Sequence, residues 1–172
     1  MKKTAGYQSK GFTLIELLIV IALLGALAVG LLATIDPFEQ LKKGRDTATR
    51  NSVSEIYNSL LRYYATKAGF PWAGTAIASS PVYPSMTAYV QTLVDTGELK
   101  NKFLDLAGTG NLAKIYISSM TADQVSVCFQ PESKSFQADP NTMFDITGGT
   151  SSTNCKSGSA GAAGDSCYFC VQ

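Results

Sequence analysis

The sequence contains no histidine and one tryptophan, and only 16% of its 172 residues are charged. The missing imidazole excludes Ser-His-Asp and Cys-His catalysis, His-ligated zinc and the HExxH helix. A net charge of +1 gives no global attraction for nucleic acid, so no direct nucleic-acid partner is expected. Cysteine is absent until Cys128; Cys155, Cys167 and Cys170 follow, all in the last 45 residues. The length suits one domain. The apolar residues, 45% of the chain, are as unevenly placed as the cysteines.

From Phe12 to Ile35 run 24 residues with one charge, Glu16. As a helix they span ~36 Å, the thickness of a bilayer core. A soluble helix is rarely apolar on every face for so long. A short leader with Lys2, Lys3 and Lys10 and no acid precedes the run. After it the composition is ordinary, with 11 basic and 12 acidic residues from Asp36 onward. A cleaved secretory signal peptide would explain the basic start, and Ala26-Leu27-Ala28 imitates its cleavage site. Against this, the run continues to Ile35 and a carboxylate interrupts its start. A plain signal-anchor helix is the second reading.

The boundary residues support a third. Gly11-Phe12-Thr13-Leu14-Ile15-Glu16-Leu17-Leu18, with Gly25 inside the helix, closely resembles the cleavage and methylation signature of type IV prepilins and pseudopilins. The resemblance implies peptidase cleavage after Gly11 and N-methylation of Phe12 by the same membrane enzyme. It also implies that Glu16 pairs with the N-terminal amine of a neighbouring subunit during filament assembly. An intramembrane carboxylate is a functional hypothesis by default, since it costs roughly 2.5–3.5 kcal/mol at a bilayer centre. The dipole at the helix start favours the anion as well. The bland alternative is that Glu16 snorkels to the headgroups. Lys42, Lys43, Arg45 and Arg50 balance the leader lysines, so the positive-inside count does not orient the span. The resemblance places the leader in the cytoplasm, and the late cysteines suit an oxidising compartment on the other side.

Asp36-Pro37-Phe38-Glu39 reads as a helix break and restart, with Asp36 as N-cap and Glu39 completing an acidic capping box. From Pro37 to Lys67, Leu41, Ala48, Val53, Ile56, Tyr57, Leu60 and Tyr64 fall near helical spacing. Lys42, Lys43, Arg45, Arg50, Glu55 and Arg62 are expected on a solvated face. Gly69 and Pro71 stop the helix. Tyr63-Tyr64 followed by Gly69-Phe70-Pro71 resembles the helix exit of pilins and G-type pseudopilins, and Tyr64, Phe70 and Trp72 are expected in the core. Residues 73–84 are read as loop and Ser85–Asp95 as a helix with Tyr89, Leu93 and Val94 inward. Strands are expected at Lys114–Ser118, Val125–Phe129, Lys134–Ala138 and Cys167–Val171, with Gln130–Ser133 joining the second and third. The fold class is α+β: a pilin-like ladle whose long N-terminal helix packs on a small antiparallel sheet.

Between Gly148 and Gly164, 14 of 17 residues are Gly, Ser, Thr or Ala, too little apolar area to order a loop. Staples would restrain it. Cys167 and Cys170 form a CxxC, but a redox motif wants a βαβ context and a zinc site wants a second pair. Three steps along a strand also set the two too far apart, and on opposite faces, for a mutual disulfide. Cys128 is out of phase with Val125, Val127 and Phe129, and Cys170 with Phe169 and Val171. Cys128–Cys170 and Cys155–Cys167 are therefore the expected pairs. Asp139, Asp145 and Asp165 are available oxygen ligands, but no EF-hand-like spacing supports calcium; no metal and no cofactor is assigned.

The expected organisation is residues 1–11 as leader, 12–35 as membrane and filament-core helix, and 36–172 as globular domain. The resemblance implies a structural, non-enzymatic subunit of a type IV pilus. Its expected partners are copies of itself, other pilin-like subunits, the prepilin peptidase and methyltransferase, an inner-membrane assembly platform, and lipid before assembly. Alternatives are a secretion or competence pseudopilin, a signal-anchored binding module, and a membrane-anchored enzyme using paired carboxylates. No cluster of acids supports the enzyme.

Overall fold

The computed structural model describes residues 11–34, 36–72, 74–150 and 167–172. The chain divides into two compact units after Pro37. The first contains helix α1, Leu14–Thr34. Its stretch Leu14–Leu32 has a mean hydropathy of 2.8, long and apolar enough to cross a membrane. The helix has no buried face: Val20 is 51% exposed and Leu14 81%. An all-round apolar surface suits lipid or a helical partner, not water.

The second unit begins with α2, Pro37–Lys67, so the restart at Pro37 is where the sequence placed it. Then come β1 (Ile77–Pro81), a turn at Val82–Met86, α3 (Thr87–Asp95), and two short helices, α4 (Phe103–Ala107) and α5 (Thr109–Leu112). Strands β2 (Ile115–Thr121) and β3 (Gln124–Phe129), helix α6 (Lys134–Gln137) and strand β4 (Phe169–Val171) complete it. The four strands form an antiparallel sheet in the order β1-β2-β3-β4. Helix plus small antiparallel sheet is the α+β class read from sequence.

The period-two pattern of β2 and β3 decides the two faces. Ile115, Ile117, Val125, Val127 and Phe129 meet Val53, Ile56 and Leu60 of α2 in the main core. Phe70 and Trp72 join it, with Tyr64 half-buried at its edge. The opposite face carries a smaller core of Cys128, Cys170, Tyr168 and Phe144. In α3, Val90, Leu93 and Val94 are buried. Tyr89, expected inward, stays 36% exposed with its ring edge against Trp72. Gly97 adopts φ +80° after α3, where its N–H reaches Val94 O. That left-handed cap is the residue glycine fits best.

Three expectations change. Residues 77–81, read as loop, form the edge strand β1, paired at Ser80 with Ile117 and at Pro81 with Tyr116. Proline is tolerated at a sheet edge, where it need donate no ladder bond. Lys134–Ala138, read as a strand, is the helical turn α6. The Ser133 hydroxyl caps it by accepting the Phe136 N–H, and the backbone N–H groups a strand would need are already taken. Asp46 accepts from Glu132 N at 3.0 Å and Ser133 N at 2.7 Å, and Glu39 accepts from Lys134 N. Gln130–Ser133 therefore leads out of the sheet and does not join two strands.

The third correction concerns α2. Leu41 and Ala48, placed on the apolar face by spacing, are exposed, whereas Asp46, Thr49 and Ser59 are buried. The expected solvated basic face is also partly engaged: the Arg50 guanidinium lies 4.6 Å from the Phe169 ring centroid and 3.9 Å from Asp139. Asp46 is the polar anchor, since Ser133 Oγ also donates to it at 2.6 Å. Hydrogen bonds to charged groups contribute about 1.5–3 kcal/mol each, and their loss here would bury unpaired N–H groups. Asp46→Ala should lower the unfolding free energy by about 3 kcal/mol. Urea denaturation of the solubilised chain measures this, and an unchanged midpoint would remove Asp46 from that role.

Candidate functional site

Residues 11–13, just before α1, are non-helical, and Gly11 and Phe12 lie on the surface, Phe12 at 90% exposure. No atom lies within 4 Å of where a Cβ on Gly11 would stand. Gly11 and Phe12 are thus exposed among the described residues, as a bond accessible to a peptidase must be. Leu17 N–H closes the first helical bond on Thr13 O at 3.3 Å.

The structure adds a residue that the sequence reading passed over. Thr13 Oγ1 and Thr13 N–H both donate to Glu16 Oε2, at 2.7 and 2.8 Å, and Glu16 N–H returns a bond to Thr13 Oγ1 at 3.3 Å. This is a reciprocal capping box, with Thr13 at N-cap and Glu16 at N3. Its signal, Thr followed three residues later by Glu before an apolar run, was present in the sequence. The box aims the carboxylate back toward the helix start. There it satisfies an orphan donor at the helix start.

At the other end of the chain, Cys128 and Cys170 form a disulfide across β3 and β4, with Cα atoms 4.1 Å apart. They are direct register partners, flanked by Val127–Val171 and Phe129–Phe169. This is the pair that strand phase selected. Cys155, of the second expected pair with Cys167, lies outside the described residues, as does Asp165. Asp139 is engaged by Asn141 and Arg50. Asp145 Oδ1 accepts from Thr147 N–H at 2.8 Å, Thr147 Oγ1 at 2.6 Å and Gly149 N–H at 2.9 Å. Among the described residues no group of three or more Cys, Asp or Glu is placed to hold a metal.

Burial pushes the Asp145 carboxyl up, but hydrogen bonds from Thr147, Gly149 and Gly148 outweigh it and bring it below the usual carboxylate range. A depressed folded value means stability present above the unfolded value, ~3.9, and lost as pH falls through the folded one. Asp145→Asn should therefore destabilise the chain at pH 7 and approach the wild type at pH 2–3, on roughly the scale of these reference values. Urea midpoints at both pH values test this; a pH-independent difference would remove the carboxylate's charge from the explanation.

The prokaryotic N-terminal methylation motif matches residues 7–32, covering the Gly11–Phe12 junction, the capping box and nearly all of α1. No curated protein and no solved structure matches the chain. The motif implies processing by a prepilin peptidase and assembly with other pilin subunits. With a helix of membrane-spanning length beside it, it fits a precursor anchored once in the inner membrane and later part of a surface filament. The chain thus carries a prokaryotic N-terminal methylation motif at the head of its apolar helix and an α+β unit after it, an arrangement that supports a type IV prepilin or pseudopilin precursor.

Proposed function

We propose that this chain is a structural subunit of a type IV pilus filament. Residues 1–11 are a leader removed by cleavage after Gly11, Phe12 becomes the methylated N-terminus, and residues 12–35 form the filament core. Residues 36–172 form the globular domain. Cys155–Cys167 is the second staple of its C-terminal region. Glu16 accepts the Phe12 amine of a neighbour as each subunit leaves the membrane. The observation that carries this reading is the open Gly11–Phe12 junction at the head of a helix whose large side chains are all exposed. Such a helix needs a cover, and like helices related by a non-closing heterologous contact supply one without limit of length. The polymer carries the function and no catalytic residue is assigned.

Mass spectrometry of the mature N-terminus tests this directly. A chain beginning at N-methylated Phe12 is the expected result. A chain beginning after Ala28 would make the segment a secretory signal peptide and end the filament reading. A pseudopilin of a secretion or competence system is the second reading. It is favoured by the helix exit, where Tyr64 meets Phe70 at a tilt, 4.9 Å between ring centroids, and Phe70 stacks on Trp72 at 5.1 Å, on the residues that resemble the G-type exit.

A further inference from the structure

We propose that the N-terminal end of α2 is a docking face for the headgroup layer of the membrane that α1 spans, with the phosphates of anionic phospholipids as its ligand. The inference rests on membrane anchoring through α1 and does not require filament assembly.

Cations from two separate elements gather there. Lys42, Lys43 and Arg45 lie on α2, and Lys114 comes from the turn before β2. Lys114 Nζ hydrogen-bonds Glu132, and Arg45 Nη1 stands 3.8 Å from the same carboxylate. Lys42 acts on Glu132 electrostatically as well. One carboxylate thus faces three cations and cannot neutralise them. Glu39 and Asp46 accept from the backbone N–H groups of residues 132–134, Asp46 from a buried position, while Lys42, Lys43, Arg45 and Lys114 are exposed. Beside this cluster opens a cavity of about 500 Å³ lined by Lys42, Lys114, Tyr116, Pro131, Glu132 and Tyr168. Lysine ammonium groups beside tyrosine rings are the chemistry of the headgroup level, where amphipathic aromatics collect.

The apolar neighbours point the same way. Phe38 and Leu41 are 72% and 61% exposed, one helical turn before Lys42 and Arg45 respectively. Large apolar side chains next to cations on one helix end are the pattern of interfacial insertion. Chain length brings them within reach. Phe38 follows Thr34 by four residues, at most ~14 Å when fully stretched, and Lys42 lies ~6 Å further along the helix. Headgroups extend ~5–8 Å beyond the hydrocarbon on each side, and attraction to them persists for a further Debye length of ~8–10 Å. With a tether of about 10 Å or less, Lys42 and Lys43 stay within the outer reach of that field. The face would hold the unassembled subunit against the bilayer and release it when filament growth draws α1 out.

The test uses the full chain reconstituted into vesicles carrying photoactivatable phosphatidylglycerol or phosphatidylcholine at equal mole fraction, with labelled peptides mapped by mass spectrometry. Phosphatidylglycerol should label residues 37–46 and 114–116 at least about fivefold more than phosphatidylcholine, the factor expected for one cation near an anionic surface. High salt should abolish the preference. Lys42→Gln/Lys43→Gln, a pair exposed on α2 whose loss leaves the unfolding midpoint unchanged, should reduce it severalfold. Equal labelling by the two lipids would overturn the proposal. So would protein–protein cross-links at Phe38–Arg45 in place of lipid labelling, which would assign the face to a second copy of the chain. Flotation with the vesicles separates the two levels. A chain that floats without headgroup preference loses only this docking face, whereas one that fails to float loses the membrane anchor on which it rests.

Discussion

Glu16→Ala should leave the chain in the membrane and abolish its filaments. Removing a carboxylate from an apolar helix lowers the cost of insertion, by up to ~2.5–3.5 kcal/mol at the bilayer centre and less near its edge. Assembly should respond in the opposite direction. In the single subunit Glu16 is already held by Thr13 N–H and Oγ1 at 2.8 and 2.7 Å. The proposed pairing with a neighbour's Phe12 amine must outweigh those bonds, so only the difference drives polymerisation. Close interfacial charge pairs couple by about 1.5–7 kcal/mol. Each 1.4 kcal/mol lost raises the critical concentration about tenfold. Even the lower bound should therefore remove most polymer at cellular concentrations, because every subunit in the filament repeats the contact. Electron microscopy of the variant, with membrane fractionation to confirm insertion, measures both halves. Normal filaments would end Glu16's assembly role while leaving cleavage at Gly11 standing.

The second large effect is expected at the disulfide. Cys128 and Cys170 close a loop with a sequence separation of 42, for which the chain-entropy relation gives about 4 kcal/mol. Strand β4 is only three residues long and lies at the sheet edge, so the bond is its one covalent tie to β3. Its release would withdraw Phe169 from the main core and Tyr168 from the smaller one, both buried in the intact fold. Cys128→Ala/Cys170→Ala should lower the unfolding free energy by about 4 kcal/mol. It should also deprotect the amides of Val125–Phe129 in hydrogen exchange. Unchanged exchange in β3 would show that β4 stays docked without the bond, which would limit the staple's effect to the unfolded chain.

The N-terminal third of the molecule was legible because its determinants are local. A 24-residue apolar run, a glycine–aromatic junction and one carboxylate need no distant partner to declare themselves. The restart at Pro37 and the strands at 115–121 and 124–129 were legible for a similar reason: proline chemistry and strict alternation act over a few residues. Phase within β3 and β4 even selected Cys128–Cys170, since a disulfide demands that both Cβ atoms leave the same face.

What sequence reading missed lies where contacts far apart in the chain override local preference. Lys134–Gln137 carries a strand-like alternation, yet it turns into a helix because Asp46 and Glu39, 86 to 95 residues earlier, take the N–H groups of residues 132–134. Residues 77–81 carry Ser-Ser and proline, and form a strand only because β2 offers an unpaired edge. Leu41 falls on the helical stripe yet stays 61% exposed, while Asp46 is buried because a turn supplies three donors to it. The amino-acid order alone thus determined the apolar helix, its processing signature and the α+β class. Tertiary structure decided which polar groups go inside, which basic side chains gather around Glu132, and where the sheet finds its edges. Both follow from one physical rule: a covalently local pattern sets what a segment can do, and the burial of its hydrogen-bonding groups sets which of those options persists.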